Sequence, residues 1–116
     1  MVKVLVSSIF LVIVLFSNVS YAASYSVPSV ITGITVGPTL VRVYLDDVSG
    51  EFETCTAISK KVAYSFDPSI PGNEFMLSAV LSAKVSNQKI MFQSVGCLVD
   101  YSKITHVYFC DTDKCQ

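Results

Sequence analysis

The residues best suited to covalent chemistry are four cysteines, Cys55, Cys97, Cys110 and Cys115. An even number of cysteines in a short chain indicates a disulfide framework if the chain is exported, and four cysteines allow three pairings. The four residues between Cys110 and Cys115 can fold back as a tight turn, which favours that pair and leaves Cys55 for Cys97. A zinc site is the alternative, but closely spaced ligand pairs are missing and the chain has one histidine. We expect two disulfides, with no metal and no cofactor.

Groups for acid–base chemistry are few. His106 is the only histidine, and the strand phase places it on one face with Ile104 and Tyr108. We expect a sheet residue with a satisfied ring nitrogen, and the alternative is an acid, a base or a pH sensor. The acidic residues lack the twelve-residue ligand pattern of a calcium loop and are expected to form turns; they are Asp46, Asp47, Asp111 and Asp113. We therefore expect no catalytic residue, and the chain is not predicted to be an enzyme.

Aromatic side chains are the better indication of function. Six of them are candidates for the surface: Tyr25, Tyr44, Phe52, Tyr64, Tyr101 and Tyr108. Tyrosines stack on sugar faces or anchor protein interfaces, and the alternative is that they cover the rim of a small core. The absence of tryptophan weakens the glycan interpretation. The sequence does not identify the ligand-binding residues.

The first 22 residues have the order of a signal peptide. A basic start at Lys3 precedes an apolar run over 4–16, and a polar stretch ends at Ala22. The run is too short for a membrane helix, which needs about 20 residues, so an uncleaved anchor is the weaker alternative. We expect cleavage after Ala22, because a cut after Ala23 places the bulky Tyr21 three residues before the bond.

Removal of this leader leaves a single domain over 23–116, secreted or periplasmic, with no membrane span. Lys3 is one of eight basic residues, so seven basic and nine acidic residues remain, a formal charge of −2. Binding to nucleic acid needs concentrated positive charge, which this domain lacks. A core of this size gives modest stability, so disulfides are expected to contribute.

Alternating patterns predict strands over 30–36, 40–45 and 55–66, then over 89–95 and 104–109. In the second strand, Val41, Val43 and Leu45 share one face, and Arg42 and Tyr44 share the other. A turn is expected over 100–103. If the strands carrying Cys55 and Cys97 are antiparallel neighbours, the two cysteines meet.

One helix is predicted from Asn73 to Val85. Glu74, Ser78 and Ser82 form a narrow polar stripe on it, and apolar residues cover the rest. The sequence 71–73 sets its start, and Asn87 stands where a left-handed residue often ends a helix. So wide an apolar arc implies burial against the sheet alone, or against the sheet and a neighbouring subunit.

The resulting order β-β-β-α-β-β, mainly β with one helix (α+β), resembles a small five-stranded OB-like barrel stapled by disulfides. This is the architecture of the B subunits of pentameric bacterial toxins. The stretch 75–92, a helix, a polar turn with Gln88 and a strand, resembles the same stretch in the subtilase-cytotoxin and typhoid-toxin B subunits. The pair Cys110 and Cys115 resembles their terminal disulfide. The tryptophan-containing N-terminal part of those subunits has no counterpart here, so no sugar-binding residue is carried over.

This resemblance implies a non-enzymatic module that binds host cell-surface glycans. It further implies a homo-oligomer, a pentamer, that joins a catalytic toxin subunit. The alternative is a small exported structural or inhibitory protein that binds another protein through a sheet edge or a tyrosine patch.

Overall fold

A computed structural model describes residues 22–55, 63–111 and 114–115. The elements are β1 (Ser24–Tyr25), β2 (Ile31–Val36), β3 (Val41–Leu45), β4 (Ala63–Phe66), α1 (Asn73–Ser86), β5 (Ile90–Leu98), β6 (Tyr101–Asp111) and β7 (Lys114–Cys115). The predicted signal peptide lies outside the described residues apart from Ala22, so its cleavage site stays a prediction.

The described strands form one sheet in the order β1-β5-β6-β4-β3-β2, with β7 paired to β6. The β4–β6 pair is parallel, and the other ladders are antiparallel. The predicted class, mainly β with one helix, is confirmed. The five longer strands and the helix follow the predicted order, and β1 and β7 are short additions. The ladders leave the sheet open between β1 and β2, so they do not by themselves give a closed five-stranded barrel.

The core lies between this sheet and α1. Val41, Val43 and Leu45 are buried along one face of β3, as their alternation predicts. From the helix, Val80 and Ala83 are fully buried against the sheet. All four residues of β4 are buried, because this strand lies between β3 and β6.

Both predicted ends of the helix are confirmed. Gly72 precedes it with a φ of 97°, a left-handed conformation that glycine adopts at little cost. At the other end Asn87 has a φ of 55°, and its amide donates to the carbonyls of Ala83 and Lys84. The helix therefore begins and ends where these local signals place it.

Three details of the strand prediction are wrong. Cys55 lies in irregular chain, and the third long strand is described only from Ala63, since 56–62 lie outside the described residues. In its described part, Ala63–Phe66, that strand pairs in parallel with β6 and is not the expected antiparallel neighbour of β5. The expected turn over 100–103 is instead a tight reversal at Val99 and Asp100, whose φ values are 49° and 65°. This reversal lets β6 start already at Tyr101.

Two disulfides are present, and they have the favoured pairing. Cys55 is bonded to Cys97, 42 positions away, and Cys110 is bonded to Cys115, five positions away. The first bridge ties the chain after β3 to the end of β5. The second lies where Cys110 and Cys115 are directly opposite each other in the β6–β7 ladder.

The loop lengths predict that the two disulfides contribute unequally to the free energy of unfolding. In the loop-entropy account, the bridge across 42 positions stabilises the fold by about 4 kcal/mol and the bridge across five positions by about 2 kcal/mol. Denaturant unfolding of the C55S/C97S and C110S/C115S variants measures both. Equal losses, or a larger loss for the terminal pair, would contradict this order.

Candidate functional site

The short strand β1 is held against β5 by hydrogen bonds on both of its sides. The Ser26 amide donates to the Phe92 carbonyl at 2.9 Å, and the Phe92 amide donates to the Ser26 hydroxyl at 2.8 Å. On the other side of the chain, the Glu51 amide donates to the Tyr25 carbonyl at 2.9 Å. These contacts fix Tyr25 in register opposite Gln93.

A glycine makes this arrangement possible. A Cβ on Gly50 would lie 2.6 Å from the Val27 amide nitrogen and 2.8 Å from the Cα of Ser26. Since both atoms belong to the backbone, neither can yield without moving the chain. Any larger residue at position 50 would push the chain after β1 away from its position beside β5.

The outward side chains of three neighbouring strands form one row, which we call the tyrosine face: Tyr25, Gln93, His106 and Tyr108. Tyr25 is opposite Gln93 in the β1–β5 ladder, and Gln93 is opposite His106 in the β5–β6 ladder. Directly opposite residues project from the same side of a sheet. Tyr25 is 40% exposed, and His106 is exposed.

One hydrogen bond fixes the side-chain amide of Gln93 at the centre of this face. The Tyr108 hydroxyl donates to Gln93 Oε1 at 2.9 Å, and the His106 and Tyr108 rings stack with centroids 6.2 Å apart. In the described part of the chain, Gln93 Nε2 has no hydrogen-bond partner. The face therefore offers a free amide donor beside aromatic rings.

The strand phase predicted that His106 shares a face with Ile104, and this prediction is wrong. The β5–β6 ladder shifts between Gln93 and Ser94, so that Ser94 is opposite Ile104 and Gln93 is opposite His106. Such a bulge adds one residue, Thr105, and reverses the alternation. Ile104 is buried, whereas His106 is exposed, with Nδ1 3.2 Å from the Thr105 hydroxyl.

Several of the other aromatic candidates belong to the interior. Tyr64 is buried, stacks on Phe52 with centroids 4.6 Å apart, and donates its hydroxyl to the Glu51 carbonyl at 3.0 Å. Burial raises the pKa of the Tyr64 hydroxyl well above its ordinary value. The Tyr64 ring therefore stabilises the fold and is not available to a ligand.

Tyr101, the first residue of β6, is also largely buried. Arg42 Nη1 donates to its hydroxyl at 3.3 Å, and the guanidinium lies 5.8 Å from its ring centroid. The hydrogen bond to Tyr101 raises the pKa of the Arg42 guanidinium. Tyr44 is half-buried on the same strand as Arg42.

A second exposed surface is the side of α1 that turns away from the sheet. We call it the outer helix face: Phe75, Ser78, Leu81, Ser82 and Val85. Phe75 is 74% exposed and Val85 is 88% exposed. The sheet therefore buries only part of the wide apolar arc that the sequence predicts for this helix.

The acidic candidates do not gather into a metal site. Asp47 Oδ1 accepts the amide and the hydroxyl of Ser49, which lowers the pKa of this carboxyl and forms the expected turn. Asp111 lies at the end of β6, and Asp113 is outside the described residues. Over 22–55, 63–111 and 114–115, no three metal-binding side chains come together. The same residues include no helix that is long and apolar enough to cross a bilayer.

These features define an α+β domain with two disulfides and two exposed surfaces. No protein-family model matches the chain, and neither a curated protein nor a solved structure matches it. Any function of the domain is therefore inferred from its own residues.

Gln93 is the functional candidate that sequence reasoning missed. Its outward position follows from the alternation in the predicted strand 89–95, which could have identified it as exposed. Its partners could not be found in this way, because they depend on the pairing of β5 with β1 and β6.

The Ser26 hydroxyl is predicted to stabilise the pairing of β1 with β5, which positions Tyr25 in the tyrosine face. Ser26→Ala leaves the buried Phe92 amide without its acceptor, which costs about 1–3 kcal/mol in the free energy of unfolding. Ser78→Ala on the exposed helix surface is the matched control, with an expected change within about 0.5 kcal/mol. Denaturant unfolding measures both variants, and equal stability of the two would refute this role of Ser26.

Proposed function

We propose that this protein is an exported, non-enzymatic binding module that recognises glycans through the tyrosine face. One observation carries the proposal: Tyr25, Gln93 and His106 lie side by side across three strands, with Tyr108 hydrogen-bonded to Gln93. Tyrosine rings offer an apolar surface for the C–H groups of a sugar, and a tyrosine hydroxyl adds a polar group. Here that group is the Tyr25 hydroxyl, since the Tyr108 hydroxyl donates to Gln93. The free Gln93 amide supplies a donor for a sugar hydroxyl.

The proposed fold is an OB-type barrel like that of toxin B subunits. β1 and β2 follow each other along the chain, with β1 paired to β5 and β2 paired to β3. Between them, Ser29 exchanges two 2.9 Å backbone hydrogen bonds with Ile90. This supports residues 24–36 as one bent first strand, which would close the barrel. The two disulfides are compatible with a secreted or periplasmic location.

The glycan proposal is tested by screening the mature protein on a glycan array. Binding is expected to fall about tenfold or more in Tyr25→Ala and in Gln93→Ala, because each removes a ring or a donor from the face. Tyr44→Ala, a tyrosine on another part of the sheet, is the control and keeps its binding. The proposal fails if the folded wild-type protein binds no glycan, or if the control loses as much as the two variants.

The outer helix face supports the proposal that the module assembles into a homo-oligomer, a pentamer by analogy with toxin B subunits. Large apolar side chains that stay exposed on a folded domain often mark a protein interface. Phe75, Leu81 and Val85 are such side chains on the outer helix face. In this proposal, a catalytic toxin subunit is the further partner of the assembled ring.

Light scattering of the mature protein tests assembly. The wild type is expected to be oligomeric, and the double variant F75S/V85S is expected to be monomeric, because it removes the two most exposed apolar side chains of the helix. Val48→Ser, which changes an exposed valine in a loop, keeps the wild-type mass. A monomeric wild type would contradict the proposal.

The same helix face also favours a second candidate function, that of a small exported structural or inhibitory protein. In that case the outer helix face binds a different protein, and the tyrosine face has no ligand. A monomer without glycan binding that forms a complex with one secreted or periplasmic protein would establish this alternative. Loss of the complex in F75S/V85S would locate its interface on the helix.

A further inference from the structure

A cleft of about 430 Å³ lies between the start of α1 and the β5–β6 hairpin. Its apolar lining includes Met76, Leu98 and the buried Ile104, and Ile70 stands at its rim, 50% exposed. Binding sites for small molecules usually measure about 300–1,000 Å³ and combine an apolar lining with a few polar groups. This cleft has the size for a small ligand, and it is separate from the tyrosine face.

One wall of the cleft carries two side-chain oxygens that accept no hydrogen bond from a described residue. Asp67 Oδ1 accepts the amide of Ser69 at 2.9 Å and its hydroxyl at 2.6 Å, and Asn73 Nδ2 donates to the Asp67 carbonyl at 2.8 Å. These bonds hold the two side chains beside each other. They leave Asp67 Oδ2 and Asn73 Oδ1 without a hydrogen-bond donor in the described part of the chain.

A lysine also lines this cleft, and it does not form an ion pair with the carboxylate of the polar wall. Lys103 lies on β6, where its backbone is opposite Ser65 in the β4–β6 ladder. Its side chain makes no hydrogen bond or ion pair with any described residue, Asp67 included. The lining of one cleft therefore includes a lysine whose side chain has no described partner, a carboxylate with a free oxygen, and an apolar surface. A ligand that complements all three carries both charges and an apolar group.

We propose that this cleft binds a free amino acid with an apolar side chain. The ammonium group of the ligand donates to Asp67 Oδ2 and Asn73 Oδ1, and its carboxylate accepts from Lys103. Hydrogen bonds between charged groups of this kind are stronger than neutral ones. The apolar side chain covers Ile70, Met76 and Leu98 and removes them from water.

Calorimetric titration of the mature protein with L-leucine tests the proposal. Leucine is expected to bind saturably with one site per chain. Leucine methyl ester lacks the carboxylate, N-acetylleucine lacks the ammonium group, and glycine lacks the side chain. Each of these three is expected to bind about tenfold more weakly or worse.

Two variants test the residues, and each has a matched control. Lys103→Met and Asp67→Asn are expected to weaken leucine binding about tenfold. Lys89→Met removes an exposed lysine outside the cleft. Asp47→Asn changes an aspartate that makes the same turn, with Ser49, away from the cleft. Both controls are expected to bind leucine as the wild type does.

The proposal is overturned if leucine shows no saturable binding, or if Lys103→Met and Asp67→Asn bind as well as their controls. Equal binding of leucine and the doubly blocked N-acetylleucine amide also overturns it, because the cleft would then accept an apolar side chain of a protein partner. None of these outcomes depends on glycan binding, since no residue of the tyrosine face lines the cleft.

Discussion

Residues 24–36 hydrogen-bond to two different strands, first to β5 and then to β3. Because of this double pairing, one continuous segment contributes both β1 and β2, the strands at the two ends of the sheet order. It depends on small side chains, because the Ser26 hydroxyl accepts a buried amide and Gly50 lets the backbone approach closely. Without it, Tyr25 would have no fixed position, and the outward row across β1, β5 and β6 would lose its first member.

The two exposed surfaces have different chemistry. The tyrosine face combines rings with an amide whose donor is free, which is suited to a ligand that has both C–H surfaces and hydroxyl groups. The outer helix face presents large apolar side chains with serines between them, which is suited to another protein surface. A module that binds a ligand with one surface and assembles through the other would use both.

Local signals predicted much of this fold, and longer-range contacts account for what they missed. Alternation located β3 and its faces, and Gly72 and Asn87 marked the ends of α1, because these features depend on neighbouring residues. The bulge that moves His106 to the exposed face could not be predicted, since it depends on the register of β5 with β6. Alternation places Gln93 outward, but its neighbours on β1 and β6 could not be predicted for the same reason.

The central claim is that the tyrosine face is the ligand-binding surface. Its most direct test is an amide NMR spectrum of the ¹⁵N-labelled mature protein during titration with a pool of oligosaccharides released from cell-surface glycoproteins. The account predicts that the amide signals of Tyr25, Gln93, His106 and Tyr108 shift together and saturate. Unchanged signals, or shifts confined to α1, would contradict it.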